Sequence, residues 1–207
     1  ARISTHDAGM PVAITSVKLG LGVPDLMLQV GSTLYWTTGA GFRVQQVPIT
    51  GGTGTTFAGP ETGAPTGIAT DGTTLWWTLD GSAGQVRNAA LPAGTAATKV
   101  SGAAIVNPKR IALTSQYLVI ANAGTNFNGS VYRTDLNGAN QTPLSTATFG
   151  PLWGLCADET HAYFSDTLNN KIYSVPLDAS AAPTALASAE TYPWDIKCDG
   201  ADLYWVN

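Results

Sequence analysis

Five eleven-residue segments of this chain align without a gap: LMLQVGSTLYW (26–36), GIATDGTTLWW (67–77), RIALTSQYLVI (110–120), GLCADETHAYF (154–164) and DIKCDGADLYW (195–205). Their last residues, Trp36, Trp77, Ile120, Phe164 and Trp205, stand 41, 43, 44 and 41 positions apart. A period of about 40 residues marks a propeller or a solenoid, whose units bury their apolar faces only against one another. Each segment reads as a strand, a tight turn and a second strand. Met27, Ile68, Ile111, Leu155 or Ile196 holds the second place, turn formers such as Asp71-Gly72 and Asp199-Gly200 follow, and the second strand opens with Leu-Tyr-Trp or a close variant. A strand apolar on both faces needs cover on both sides, which neighbouring blades supply.

Eight to eleven residues beyond each anchor comes a third strand centred on Val44, Val86, Val131 or Ile172 and ending in Ile49, Leu91, Leu136 or Leu177, and a weaker fourth follows. Four strands at this period predict an all-β fold, a five-bladed β-propeller of four-stranded antiparallel blades. Blade 1 covers about 25–58, blade 2 about 66–101, blade 3 about 109–147, blade 4 about 153–187, and blade 5 about 194–207 plus 1–16, all in a single domain 1–207. RISTHDAG (2–9) superposes on the third strands, with Ile3 at the place of Val131 and Asp7 at that of Asp135, and PVAIT (11–15) supplies a fourth. The N-terminal outer strands are thus expected to pair with the C-terminal inner strands and close the ring, leaving no open edge.

Tyr35-Trp36-Thr37, Leu203-Tyr204-Trp205, Pro65-Thr66-Gly67-Ile68-Ala69 and Asn169-Asn170-Lys171-Ile172-Tyr173 resemble the repeats of YWTD-type and NHL-type propellers. The Asp that ends the YWTD motif is matched by Asp166, while Thr38, Leu79, Asn122 and Asn207 stand elsewhere. Five units differ from the six usual in those families, so the resemblance implies a fold and no ligand.

Charged residues make up only 12% of the chain, against roughly 25% in ordinary soluble domains. The net charge of -4 and scattered basic residues exclude a nucleic-acid surface. No apolar run approaches the roughly 18 to 20 residues of a membrane span. HExxH, a P-loop, a GxSxG elbow and a Cys/His cluster are all missing, so no catalytic residue, metal or cofactor is expected. His161 reads as a solvated turn residue and His6 as an outer-strand one. Asp71, Asp158 and Asp199 recur at one repeat position, where they cap turn amides. Asp135–Asn140 has the look of a calcium loop but lacks the distal Glu.

Just before each first strand the chain enters near the central axis, and there the residues vary: Asp25-Leu26, Thr66-Gly67, Lys109-Arg110, Trp153-Gly154 and Trp194-Asp195. Differences at equivalent places point to binding rather than to a shared packing role. The candidate ligand site is therefore Asp25, Lys109, Arg110, Trp153, Trp194 and Asp195, with Phe127 on the longer 123–129 loop overhanging the mouth. Two tryptophans, two basic residues and two carboxylates suit a polar ring such as a sugar; the competing reading has the tryptophans as channel filler. The expected function is a non-catalytic binding or scaffold module, a monomer taking a small molecule, glycan or protein at its axial face. The alternative is a hydrolase or lyase at the same opening, with Asp25 and Asp195 as its carboxylate pair.

Cys156 and Cys198 hold the third and fourth places of adjacent inner strands. By strand alternation they either face each other across the blade 4 to 5 interface or face away. A bond between them is the expectation, since inner strands lie closest near the axis. It would place the protein outside the cytoplasm of a bacterium, periplasmic or secreted.

Overall fold

The structure, a computed structural model, describes residues 23–207, all in strands, turns and loops without a helix. Blade 1 is β1 (Pro24–Val30), β2 (Thr33–Thr38), β3 (Arg43–Pro48) and β4 (Thr55–Ala58). Blade 2 is β5 (Pro65–Thr70), β6 (Thr74–Leu79), β7 (Gln85–Ala90) and β8 (Ala97–Ser101). β9 (Pro108–Leu113), β10 (Tyr117–Asn122), β11 (Ser130–Asp135) and β12 (Thr142–Pro143) make blade 3. β13 (Leu152–Ala157), β14 (His161–Asp166), β15 (Lys171–Pro176) and β16 (Thr184–Ser188) make blade 4. β17 (Asp195–Asp199) and β18 (Asp202–Val206) form a two-stranded sheet. Each sheet is an antiparallel meander in chain order. The outer strands expected at 2–9 and 11–15, and the ring closure they would make, lie outside the described residues.

One register runs through all five units. The second place of each eleven-residue segment lies opposite its last, as Met27↔Trp36, Ile68↔Trp77, Ile111↔Ile120, Leu155↔Phe164 and Ile196↔Trp205. The third-strand residues Ile49, Leu91, Leu136 and Leu177 fall one position past the strands they were expected to end, because each leads the turn to the fourth strand.

The core is a series of blade interfaces. The residue before each anchor packs against the following blade's inner hairpin. Tyr35 joins Ile68, Leu75 and Trp77, Trp76 joins Ile111, Leu118 and Ile120, and Val119 joins Leu155, Ala162 and Phe164. This is why the second strands are apolar on both faces. Trp77 is fully buried, with its indole N–H donating to Glu61, whose other carboxylate oxygen pairs with Arg87 at 3.2 Å. Burial raises the Glu61 carboxyl, and the Arg87 charge and Trp77 hydrogen bond counter it. The blade 4 to 5 interface is smaller, built on Cys156, Ile172 and Ile196, and it is crossed by the Cys156–Cys198 disulfide with a Cα separation of 5.8 Å.

Three of the five inner hairpin turns, those of blades 2, 3 and 4, are held by side-chain acceptors at the fifth place of the segment. Asp71 Oδ1 accepts from the Thr73 and Thr74 amides at 2.8 Å, and Thr114 does the same service in blade 3. Asp199 instead lies within its strand, opposite Asp202. His161 is the first residue of β14 rather than a turn residue. Asp135 spends its oxygens on the Ala139 amide and the Asn140 side chain, closing a hydrogen-bonded hairpin turn.

Asp158 gives this turn a pH signature. Burial alone would raise its carboxyl, but the Thr160 amide, the Tyr163 and Thr160 hydroxyls and the His161 amide outweigh that and hold it at about 2. Its hydrogen bond and charge, added to burial, push the Tyr163 hydroxyl up to about 12. A folded-state value below the unfolded one stabilises above the ordinary carboxylate range, and the contribution is lost as pH falls toward 2. The advantage of the parent over Asp158→Asn, read by urea unfolding, should shrink by about 1 kcal/mol between pH 5 and 2, the full linkage being discounted for solvent screening. A pH-independent difference would refute the assignment.

Candidate functional site

In blades 1 to 4 the lead-in residues sit at β-bulges. In blades 1 and 2, Asp25-Leu26 and Thr66-Gly67 lie opposite the single residues Thr37 and Thr78. In blades 3 and 4, Lys109 and Trp153 are the extra residues between paired neighbours. A bulge takes a residue out of the ladder and re-aims its side chain.

Hydroxyl groups on the second strands staple these bulges and bind blade to blade. Thr37, Thr78 and Ser165, each one residue past its anchor, accept from the amides of Leu26, Gly67 and Gly154 at 3.3, 2.7 and 2.8 Å. Thr37 Oγ1 also donates to the Thr66 carbonyl at 2.8 Å, Ser165 Oγ reaches the Trp194 carbonyl, and Thr66 Oγ1 donates to the Pro108 carbonyl at 2.8 Å. Thr66 and Gly67 therefore serve packing rather than recognition. A Cβ on Gly67 would come within 2.9 Å of Arg110 Cα, and one on Gly154 within 3.0 Å of the Ile196 amide nitrogen.

The remaining lead-in residues form a continuous arc. Asp80, on the loop after β6, pairs with Lys109. The Lys109 ammonium lies 5.0 Å from the Trp153 ring centroid. Trp153 stacks on Trp194 at 4.8 Å with an interplanar angle of 10°. Trp153 thus contacts both Lys109 and Trp194, while Trp194 stays 44% exposed. The arc runs from blade 2 to blade 5 and ends on Trp194, which is partly exposed.

Arg110 reaches from blade 3 to the β17–β18 sheet. It is buried, donates through Nη1 to the Lys109 carbonyl, and stands with Nε 3.6 Å from Asp195 Oδ1, two blades away. Among the described residues neither Arg110 Nε nor Asp195 Oδ1 has a hydrogen-bond partner, and Lys197 flanks the other Asp195 oxygen at 3.6 Å. Burial lowers the Arg110 value against the opposing pull of Asp195 and Asp25, and a guanidinium stays charged at such a site. Burial raises the Asp25 carboxyl; Arg110 and Lys109 offset part of the rise, and Asp80 adds to it.

Of the residues expected from sequence, Lys109, Arg110, Trp153, Trp194 and Asp195 are linked by direct contacts, and Asp25 feels the charges of Arg110 and Lys109. Phe127 stands apart: its side chain is 67% exposed on the β10–β11 loop and makes no aromatic pair among the described residues. Asp80 escaped sequence reasoning. Its signal was positional, three residues past an anchor on the loop that faces the next blade's lead-in.

No protein-family model matches the chain, and no curated protein matches it significantly. Solved structures do. A chain from the nidogen/laminin complex superposes with a TM-score of 0.77 over 90% of this chain and 73% of its own length, at 21% identity. Virginiamycin B lyase from Staphylococcus aureus gives 0.63 over 86% of this chain and 61% of its own, at 16% identity. The chain is a β-propeller with YWTD-like blades, a statement of fold alone.

Proposed function

We propose that the chain is a non-catalytic binding module whose recognition surface is the axial arc, taking a polar ring such as a sugar on the exposed part of Trp194. The observation that carries this reading is the ordered stack behind it: Trp194 rests on Trp153, Trp153 on the Lys109 ammonium, and Lys109 on Asp80. An aromatic platform fixed before the ligand arrives loses little freedom on binding. The arc's charges pair internally, so selectivity comes from stacking and hydrogen bonds rather than from net charge.

A hydrolase or lyase at the same opening is the weaker reading. Glycoside cleavage needs two carboxylates flanking one bond, whereas the Arg110 guanidinium acts on both Asp25 and Asp195. The bound partner of the nidogen chain is a protein and the second similar structure is a lyase, so both remain outcomes of the test rather than premises. The module is a monomeric single domain of five blades, closed when N-terminal residues add outer strands to β17 and β18. Its disulfide supports an oxidising compartment outside the cytoplasm.

Binding to a glycan array, beside turnover on a lactone and glycoside panel, tests the proposal. Trp194→Ala should weaken the best array ligand by about 2 kcal/mol or more, roughly 30-fold. Its stability should fall by less than the roughly 3 to 5 kcal/mol of a core aromatic deletion. A loss of stability in that range with no ligand found would make the tryptophans filler, and turnover abolished by Asp25→Asn would make the site catalytic.

A further inference from the structure

The loop that leads into β17 repeats the loop that leads into β5, with one departure. Glu61-Thr62-Gly63-Ala64-Pro65-Thr66 and Glu190-Thr191-Tyr192-Pro193-Trp194 both run from a glutamate through a buried proline to a lead-in residue. Each glutamate amide donates to the carbonyl of a left-handed residue just before the preceding blade's third strand, Glu61 to Phe42 at 2.8 Å and Glu190 to Asn170 at 3.1 Å. Each glutamate carboxylate accepts from the indole N–H of the anchor that follows, Trp77 at 3.2 Å and Trp205 at 2.9 Å. The two loops therefore share one scaffold.

The departure is Tyr192, which stands where the loop before β5 has Gly63-Ala64. Those small residues lie against the loop after β6: the Ala64 carbonyl accepts from the Asp80 amide at 2.8 Å, and a Cβ on Gly63 would come within 2.6 Å of the Asp80 carbonyl oxygen. Tyr192 is instead 61% exposed, and its ring pairs with no other aromatic ring among the described residues. Its backbone is left-handed, with φ 56°, immediately before Pro193. Bulky side chains avoid that region, and a residue preceding proline is steered to extended backbone, so the conformation is doubly unfavourable. Asn170 holds it in place, its Oδ1 accepting from the Tyr192 amide at 3.1 Å while its carbonyl takes the Glu190 amide. Strain of this kind, at an exposed residue that packing does not require, is a mark of a functional surface.

Tyr192 stands two residues before Trp194, so their Cα atoms lie within two steps of about 3.8 Å. Exposed rings so spaced can each carry one unit of a chain. The charges beside them cancel: Asp80 pairs with Lys109, Asp195 stands between Arg110 and Lys197, and Asp25 feels Arg110 and Lys109. The Glu190 carboxylate is taken up by Trp205 and by the Asn207 side chain at 3.0 Å. A ligand that matches such a face is uncharged and offers an apolar ring face on each unit. We infer that the site takes a neutral oligosaccharide, with one sugar on Trp194 and the next on Tyr192. This rests on the reading of Trp194 as a sugar platform and extends it to a second one.

Fragments of cellulose, mannan and chitin, with polygalacturonate as the acidic control, test this by titration calorimetry when each is offered to the full chain as monosaccharide, disaccharide and tetrasaccharide. A neutral disaccharide should bind at least about tenfold tighter than its monosaccharide. Tyr192→Asn puts a residue at ease with positive φ in place of the ring. It should melt no lower than the unmodified chain and bind the disaccharide about tenfold more weakly, whereas Trp194→Ala should weaken every length. Equal affinity for all lengths, or Tyr192→Asn binding like the unmodified chain, would overturn the second platform and leave the sugar site on Trp194 standing. A preference for the polygalacturonate fragments would overturn the neutral ligand and leave that site standing too. A lower Tm for Tyr192→Asn would assign the ring to packing and sink the inference, and the absence of binding to any of these glycans would overturn both readings.

Discussion

Asp166→Ala should lose about 2 to 3 kcal/mol of unfolding free energy, since the Gly150 amide would be left buried without an acceptor at about 1 to 3 kcal/mol and the two more exposed Asn169 donors would lose theirs. Asp166 is fully buried and accepts from the Gly150 amide at 3.1 Å, the Asn169 amide at 2.9 Å and the Asn169 side chain at 2.7 Å. It therefore joins the segment arriving from blade 3 to the β14–β15 turn of blade 4. Gly150 is matched to it, because a Cβ there would fall 2.5 Å from Asp166 Oδ1. Asp166→Asn keeps one acceptor oxygen and should recover about half of the loss in urea unfolding. A cost below about 1 kcal/mol for Ala would show that solvent reaches these donors.

Reducing the Cys156–Cys198 bond, or replacing both cysteines with Ala, should cost about 4 kcal/mol in the chain-entropy model for a loop of this length. The bridge closes a sequence separation of 42 residues and spans the least substantial blade interface described, that of Cys156, Ile172 and Ile196. Guanidinium unfolding with and without reductant reads the effect. Coincident curves would mean that neighbouring contacts already hold blade 5 in place.

The fold was legible because the repeat reports packing directly. Trp36, Trp77, Ile120, Phe164 and Trp205 occupy one place in the ladder, and an alignment by hydrophobicity alone lands on the observed register. The lead-in residues were legible as a set but not as roles. Thr66 and Gly67 differ from their counterparts for reasons of blade contact, which variation alone cannot separate from recognition. Trp153 and Trp194 lie 41 residues apart in sequence, and nothing in either segment announces that their rings stack. Arg110 reaching Asp195 across two blades depends on how the blades are arrayed, and Glu61 meets the cross-strand pair Trp77 and Arg87 from the loop before β5. The Arg110 partnership has no periodic signature.

The bulges that set Lys109 and Trp153 outside the ladder separate the residue that meets a ligand from the bonds that hold the blade. In blades 1, 2 and 4 the staple joins a backbone amide to a hydroxyl of the second strand, so that bond does not pass through the side chain of the lead-in residue. Lineages, or an engineer building a library, can rewrite Lys109, Trp153 and Trp194 as one coupled set on an unchanging frame. Specificity in this architecture drifts faster than stability.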